Sequence, residues 1–395
     1  YLGNFDWYDY MFKRSRPETE HNISLTGGND KINYYVSGRY YQQDGVLGGN
    51  MIRNKENYKN YSFRAKFDAQ LFKWAKWSTN ASLNAVNQKY PGPLNEAQTI
   101  AALEENVAPM FVPYNPDGSS VYTTEVTGSA PADGMAAAVT QGKAFSQLKQ
   151  TQYTTTIGGV ITPLKGWSIV GTFSYKRYHR EKTFRSANIT YSDAYGEMKT
   201  ATTGFFSDKL RENSAVEEHY TYDLYTTYEH SVNRHNFKVL AGMNHEAYRY
   251  KLIYGAKSSL QSDYLNDLNL GTGVAEASGG QSRWALLGFF GRGTYDYAGK
   301  YLAEVNFRWD GSSRFPKHDR WGFFPSVALG WRISEENFME PVRKVIDNVK
   351  LRASIGSLGN QAIADSYPYI QSLSPSLSTS YLMNGNKIYI TSLGA

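Results

Sequence analysis

The sequence predicts an all-β chain: a transmembrane antiparallel up-and-down β-barrel, with short turns at one rim and long loops at the other. Three observations carry this. Apolar and polar residues alternate with period two over segments of ten residues or more. Connections between those segments alternate between short and long. Tyrosine and tryptophan gather near the short-turn ends.

The segments fall at 20–28, 31–43, 57–72, 76–90, 150–163, 166–180, 216–230, 235–250, 284–297, 300–311, 321–333 and 348–358. In 31–43, Ile32, Tyr34, Val36, Gly38 and Tyr40 oppose Asn33, Tyr35, Ser37, Arg39 and Tyr41. In 57–72 the division is sharper: Tyr61, Phe63, Ala65, Phe67, Ala69 and Leu71 against Ser62, Arg64, Lys66, Asp68 and Gln70. Tyr301, Ala303, Val305, Phe307 and Trp309 likewise oppose Leu302, Glu304, Asn306, Arg308 and Asp310. Val349, Leu351, Ala353 and Ile355 oppose Lys350, Arg352 and Ser354. Each strand therefore has one dry and one wet face. Strands of ordinary proteins run about 5–6 residues, whereas crossing a bilayer at a tilt takes about 9–11. Stretches 366–372 and 387–391 offer further strands.

Short connections lie at Asn29-Asp30, 73–75, Leu164-Lys165, 231–234 and Ala298-Gly299, and long ones at 44–56, 91–149, 181–215 and 251–283. Alternate connections of an antiparallel meander share a side, so this is the asymmetry of periplasmic turns and extracellular loops. The 312–320 link is intermediate, and 334–347, on the short side, reads as a small helix. Trp74, Trp77, Trp167, Tyr297, Tyr301 and Trp331 sit where an interfacial girdle belongs, although β-propensity alone also places aromatics at strand ends.

Composition sets weaker bounds. The chain has 395 residues, 41% hydrophobic, with 32 Tyr, 19 Phe, 8 Trp and 35 Gly. A mean hydropathy of −0.54 looks soluble, but alternation hides a membrane barrel from such averages. A soluble aromatic-rich sandwich or propeller fits the composition equally well; strand length and loop alternation favour the barrel. The most apolar run, Trp284-Ala285-Leu286-Leu287-Gly288-Phe289-Phe290, is far short of the roughly 20 residues of a spanning helix. Tyr1-Leu2-Gly3-Asn4-Phe5-Asp6-Trp7 has neither the basic start nor the apolar core of a signal peptide, so residue 1 is read as internal to a longer protein. The absence of cysteine excludes disulfides and Cys-ligated metal. A net charge of +6 without a Lys/Arg block argues against nucleic-acid binding.

Several blocks resemble the SusC/RagA-type TonB-dependent transporters. Asp6-Trp7-Tyr8-Asp9 with Phe12 is similar to their approach to the barrel. His21 to Lys31, read as His-Asn-Ile-Ser-Leu-Thr-Gly-Gly-Asn-Asp-Lys, and Tyr34-Tyr35-Val36-Ser37 resemble the first hairpin, closed by Gln43-Asp44-Gly45-Val46. Asp310-Gly311-Ser312-Ser313-Arg314-Phe315 looks like a family hallmark, as does the run from Trp321 through Pro325 and Trp331 to Glu336. Leu351-Arg352-Ala353-Ser354-Ile355-Gly356 with Gly359-Asn360-Gln361 completes the set. These blocks cover about a third of the chain in the family's order. As physics, Gly27-Gly28-Asn29-Asp30 reads as a turn supplying positive φ, Asp310-Gly311-Ser312-Ser313 as a strand end at the outer rim, and Pro325 as a residue needing an edge or bulge. All of them are more economically barrel corners than binding sites.

The resemblance implies a barrel of about 22 strands, of which residues 1–395 form one partial domain of roughly a dozen. It implies that the signal, the TonB-interacting segment, the plug and the C-terminal strands lie outside this chain. It implies import of an oligosaccharide or peptide across the outer membrane of a Gram-negative bacterium. TonB, engaged through the missing N-terminal region, and a SusD-like lipoprotein are the implied partners. The family likeness suggests a dimer of such transporter–lipoprotein pairs, set in lipid bilayer and lipopolysaccharide. It implies neither cofactor nor catalysis.

The residues agree in offering no site for bond chemistry. His21, His179, His219, His230, His235, His245 and His318 lack metal-ligand spacing, and His230 and His235 flank a turn and read as solvated. Gly288, Gly291 and Gly293 suit a curving strand rather than a phosphate loop, and Gly271-Thr272-Gly273 also fails the dinucleotide pattern. Glu104-Glu105, Glu217-Glu218 and Glu335-Glu336 are adjacent, so in strands they face opposite ways. The candidates for substrate contact are Phe111, Tyr114 and Tyr122 in loop 91–149, where a short helix is expected at 96–105, and Tyr191 and Tyr195 in loop 181–215. Packing against neighbouring loops is the simpler role for all five. Luminal Arg39, Arg64, Lys66, Arg308 and Arg352 suit an acidic solute, or else pair with Asp68, Glu304 and Asp310. Competing readings are a rim-active barrel enzyme, for which no Ser/His/Asp cluster stands out, and an outer-membrane or soluble glycan-binding β-protein without transport.

Overall fold

A computed structural model of the chain describes residues 4–47, 56–92, 100–101, 109–122, 134–194, 196–202, 206–342, 345–361, 367, 369, 373–383 and 386–393, the last two by backbone alone. Twelve strands form one antiparallel sheet. They are β1 (Glu18–Gly28), β2 (Ile32–Asp44), β3 (Asn57–Phe72), β4 (Ala75–Pro91), β5 (Phe145–Leu164), β6 (Trp167–Ser186), β9 (Lys209–Val232), β10 (His235–Ser258), β11 (Glu276–Tyr297), β12 (Tyr301–Ser312), β13 (Trp321–Arg332) and β14 (Lys350–Gly356). A hairpin of β7 (Ile189–Ala194) and β8 (Glu197–Ala201) interrupts the meander as a separate two-stranded sheet. Another pairs β15 (Leu373–Met383) with β16 (Asn386–Leu393), so the late stretch does form strands, but outside the main sheet. Much of 366–372 lies outside the described residues.

Each of the twelve segments read from the sequence matches one strand of the sheet. The lengths differ where the loops are long. β5 and β6 have 20 residues each, β9 and β10 have 24, and β11 has 22. Nearly all of the extra length lies at the long-loop end. There the dry face stops being dry: Arg177, Glu218 and Arg249 succeed one another on its parity across β6, β9 and β10. The ladder continues above that level while the two-residue hydropathy signal fades, and so the sequence reading ended these strands early.

Register fixes which residues share a face. Phe63, Leu83 and Tyr153 lie abreast, as do Ile157, Phe173 and Tyr222, and Phe289, Trp309 and Phe323. Most of these side chains stand exposed, Phe323 at 60% and Val305 at 52%. Among the described residues no layer covers this face. A continuous apolar surface of this kind matches a lipid-facing wall. Trp74, Trp77, Tyr301 and Trp331 edge it at the short-turn rim, and the Tyr297 and Tyr301 rings stack at 6.3 Å. His235 belongs to this girdle rather than to free solvent. Its Nδ1 lies 2.8 Å from the Tyr295 hydroxyl, because the ladder sets it beside Tyr295 and Tyr297.

The short turns show how local chemistry closes each hairpin. Asn29 Oδ1 accepts from the N–H groups of Lys31 and Ile32, at 2.9 and 3.0 Å. Gly27 and Gly28 are not positive-φ residues, contrary to the sequence reading; they end β1 in extended backbone. Glycine is needed at Gly28, where a Cβ would run into the backbone of Ile32 and Asn33, while the Tyr34 ring end lies over Gly27. Positive φ appears instead at Ala298 (55°) and Gly299 (71°), the central pair of a tight β11–β12 turn. Pro325 pairs with Phe307, and its carbonyl accepts from Ser357 N–H at 3.0 Å. Its missing N–H therefore falls on the β14 side, one step beyond the last pair, Ser326–Gly356. Only the outermost donor of that ladder is lost.

The 333–349 link holds two 3₁₀ turns, Ile333–Glu335 and Asn337–Val342. They separate Glu335 and Glu336 by partner: Glu335 meets Arg332 at 3.1 Å. Glu336 accepts from the Tyr301 hydroxyl (2.7 Å), Lys300 Nζ (3.1 Å) and Trp331 Nε1 (3.1 Å). These donors, the Tyr301 hydroxyl foremost, hold its carboxyl down at about 2.

Two predictions follow from this geometry. A depressed carboxyl stabilises fully above its ordinary value near 4.5 and loses that contribution as pH falls toward 2. Hydrogen exchange of 333–342, corrected for intrinsic rates, should stay protected from pH 7 to 5 and loosen below about 4; Glu336→Gln should be loose throughout. Val305→Lys places a charge on the lipid face at a cost of about 2–4 kcal/mol near mid-bilayer, whereas Asn306→Lys faces water. Urea titration of the heat-modifiable folded band should show the first variant weakened and the second near wild type.

Candidate luminal and rim site

The wet face of the sheet is wired by short polar contacts. Arg39 pairs with Glu20 at 3.0 Å, Lys66 with Asp68 at 3.0 Å, and Arg308 with Asp310 at 2.8 Å. Arg64 Nε donates to Asn80 Oδ1 at 3.1 Å, and Arg292 Nε to Asn306 Oδ1 at 2.7 Å. Most of these pairs join a residue to its cross-strand or next-but-one neighbour, the distance at which side chains on one face meet. The luminal arginines expected to favour an acidic solute are thus largely satisfied within the wall. The exposed pairs contribute little stability individually.

An aromatic group on this face departs from the polar pattern. His219, Tyr248 and Trp284 lie abreast on β9, β10 and β11. The Tyr248 and Trp284 rings stack at 5.5 Å, and His219 lies 4.6 Å from Tyr248. The Arg314 guanidinium covers Trp284 at 4.9 Å, while its Nη1 donates to the Gln361 carbonyl at 3.2 Å. Sequence reasoning missed this shelf. The available signal was parity: Tyr248 and Trp284 are aromatics in register with the wet residues Glu246 and Ser282, not with the dry ones. The family-like block explains Arg314. Asp310, Gly311 and Ser312 end β12, and Ser313 bonds back to Ala285 through both its N–H and its hydroxyl, at 2.9 Å each. That corner turns Arg314 onto Trp284. Phe315 N–H closes the corner on the Ser312 carbonyl.

At the long-loop rim the chain builds its main buried core. A short helix, α1 (Trp7–Met11), is capped by Asp6, whose side chain accepts from Asp9 N–H. A second, α2 (Met135–Thr140), follows Gly134, held at φ 69° with the Tyr122 and Phe206 rings where a Cβ would stand. Trp7, Met11, Leu47, Val139, Ile189 and Phe206 pack together, almost wholly shielded from solvent. Phe111, Tyr114, Tyr122 and Tyr191 all lie in this assembly, half-buried. Phe111 accepts a bond from Trp7 Nε1 through its carbonyl at 3.1 Å. Tyr114 meets Tyr10 edge-on at 6.1 Å, and Tyr122 meets Tyr191 at 5.0 Å. Tyr195 lies outside the described residues. So does most of the helix expected at 96–105, of which Ile100 and Ala101 are described and helical.

Polar side chains stitch the separate loops into this core. The Gln141 amide both donates to Thr190 O (2.7 Å) and accepts from Thr190 N–H (3.1 Å), closing the gap to β7 as a strand would. Asn115 Nδ2 donates to Ser192 O at 3.0 Å. Lys143 pairs with Asp263 at 2.7 Å. Arg185, fully buried, pairs with Asp208, whose other oxygen accepts from Leu260 N–H at 2.7 Å. Among the described residues these contacts join segments 109–122, 134–144, 187–194 and 206–208 with 259–275.

No protein-family model matches the chain. It is similar to the TonB-dependent receptor SusC of Bacteroides thetaiotaomicron, 27% identical over 389 residues that take in 93% of this chain and 36% of that protein. It is also 25% identical to the TonB-dependent receptor P3 of Formosa agariphila, over 92% of this chain and 35% of that protein. The chain thus spans about a third of the length of these curated relatives. The structure of the RagAB peptide transporter superposes on all of it with a TM-score of 0.74 and 20% identity, using 42% of that solved chain. That likeness concerns the fold, an antiparallel barrel wall. Across some nine-tenths of its length the chain is similar in sequence to TonB-dependent receptors of the SusC type, and its sheet shares the fold of the RagAB transporter's barrel wall.

Proposed function

We propose that this chain is part of a TonB-powered importer that carries an oligosaccharide or peptide across the outer membrane of a Gram-negative bacterium. The observation that carries the reading is a polar lumen wall bearing an aromatic shelf beneath a cross-linked loop core. Such a lumen passes hydrated solutes, and the half-buried rings of the His219–Tyr248–Trp284 shelf suit contact with sugar or peptide groups. In this reading Phe111, Tyr114, Tyr122, Tyr191 and Tyr195 shape the mouth through packing, and the His219–Tyr248–Trp284 shelf makes the deeper contact.

The sheet is open at β1 and β14 among the described residues. An open edge is not tolerated in hydrocarbon, so the reading places further strands beside these edges in a larger closed barrel. It also places a plug and a TonB-contacting segment elsewhere in the same protein. A SusD-like surface lipoprotein caps the loop rim, in a dimer of such pairs. Tyr264, Leu265 and Val274 stand exposed in loop 259–275, apolar surface suited to a partner.

Uptake of fluorescent oligosaccharides and oligopeptides by cells with and without the protein tests this. Uptake should require both the protein and an intact proton-motive force. Uptake that persists after the force is collapsed would mark a passive pore instead. Trp284→Ala should raise the concentration for half-maximal uptake on the order of tenfold, the worth of one lost stacking contact, while lipid-facing Trp309→Ala leaves it unchanged. Trp7→Ala should loosen the loop core locally by about 3–5 kcal/mol and release the co-purifying lipoprotein without unfolding the barrel.

A further inference from the structure

The lipid-facing surface is not evenly clad. Gly159 on β5 and Gly171 on β6 are direct cross-strand partners, and both belong to the apolar parity. Together they leave a patch of bare backbone flanked by Trp77 on β4 and Leu224 on β9, with Phe173 and Tyr222 one row above. The result is a groove of about 1040 Å³ running from the short-turn rim toward mid-wall. Neither glycine is there for φ or for close backbone contact. A Cβ on Gly159 would meet its nearest neighbour, the Lys76 carbonyl, at 3.7 Å, and one on Gly171 would meet Leu224 at 3.7 Å. Larger residues would fit the sheet and fill only the groove.

At its rim end lie the β3–β4 and β5–β6 turns, joined by Thr162 N–H donating to the Trp74 carbonyl at 2.7 Å. Each turn carries an exposed lysine, Lys73 and Lys165, and neither 71–75 nor 162–167 contains an acidic residue. The Phe72 and Trp74 rings stack at 5.2 Å beside them. An apolar trough opening onto two cations at the headgroup level complements one kind of molecule: acyl chains below a negatively charged phosphate.

We propose that this groove is a binding site for an anionic glycerophospholipid of the periplasmic leaflet, its acyl chains over Gly159 and Gly171 and its phosphate between Lys73 and Lys165. The inference rests on the transmembrane wall and is independent of what the protein imports. The site would hold a lipid at a fixed place on the barrel, where the rest of the surface exchanges lipid freely.

The test is native mass spectrometry of the intact purified protein, exchanged into mixed micelles of equimolar phosphatidylglycerol and phosphatidylethanolamine. Wild type should retain one phosphatidylglycerol, with a preference on the order of tenfold. Gly171→Leu should retain neither lipid. The double variant Lys73→Glu and Lys165→Glu should keep lipid but lose the preference. Heat-modifiability on gels confirms that each variant is folded. Equal retention of both lipids by wild type, or undiminished retention by folded Gly171→Leu, would overturn the proposal.

Discussion

Every backbone N–H and C=O within the wall must find its partner on the adjacent strand, because hydrocarbon offers none. That constraint organises the rest of the molecule. It sets the twelve strands in continuous antiparallel pairing from β1 to β14, with register shifts beside the β3–β4 and β5–β6 turns. It leaves side chains to do only two things, dissolve in lipid on one face and in water on the other. It also decides where exceptions are tolerated. Pro325 survives because its missing donor lies one step past a ladder end, and Gly27 and Gly28 end β1 where Tyr34 and Asn33 crowd the backbone.

The same constraint explains what was legible in the sequence. Within the membrane the period of two is forced by two solvents, so residues such as Phe63, Arg64, Ala65 and Lys66 announce their faces directly. Above the membrane both faces are wet, and Arg177 and Glu218 break the signal although the ladder continues. The rim core was poorly legible for a different reason. Trp7, Leu47, Val139 and Ile189 come from four distant segments and pack without any shared periodicity. The candidates Phe111, Tyr114, Tyr122 and Tyr191 stand out as aromatics in long loops, and loop position cannot tell a ring that packs from one that binds. The His219–Tyr248–Trp284 shelf was legible in principle, as aromatics of the wrong parity, once register across three strands was known.

Charge is handled differently at the three levels of the wall. In the lumen, pairs such as Lys66–Asp68 and Arg308–Asp310 keep the surface polar while balancing it locally. At the long-loop rim, buried Arg185–Asp208 and half-exposed Lys143–Asp263 serve as cross-links between loops. At the short-turn rim, Glu336 gathers three donors to fasten the 333–349 link beneath Trp331. The family-like blocks of the sequence coincide with these corners and fastenings. They mark where the wall turns, and the His219–Tyr248–Trp284 shelf lies beside them.

The central claim is that alternate residues of each strand face lipid and water. The chain has no cysteine, so single cysteines carry unambiguous labels. Spin labels placed one at a time from Tyr301 to Asp310, with the protein in bilayers, report collisions with oxygen from lipid and with a nickel chelate from water. The account predicts a strict two-residue alternation, with oxygen favoured at 301, 303, 305, 307 and 309 and the chelate favoured at the positions between. Chelate access at both parities, or an alternation with a helical period, would contradict it.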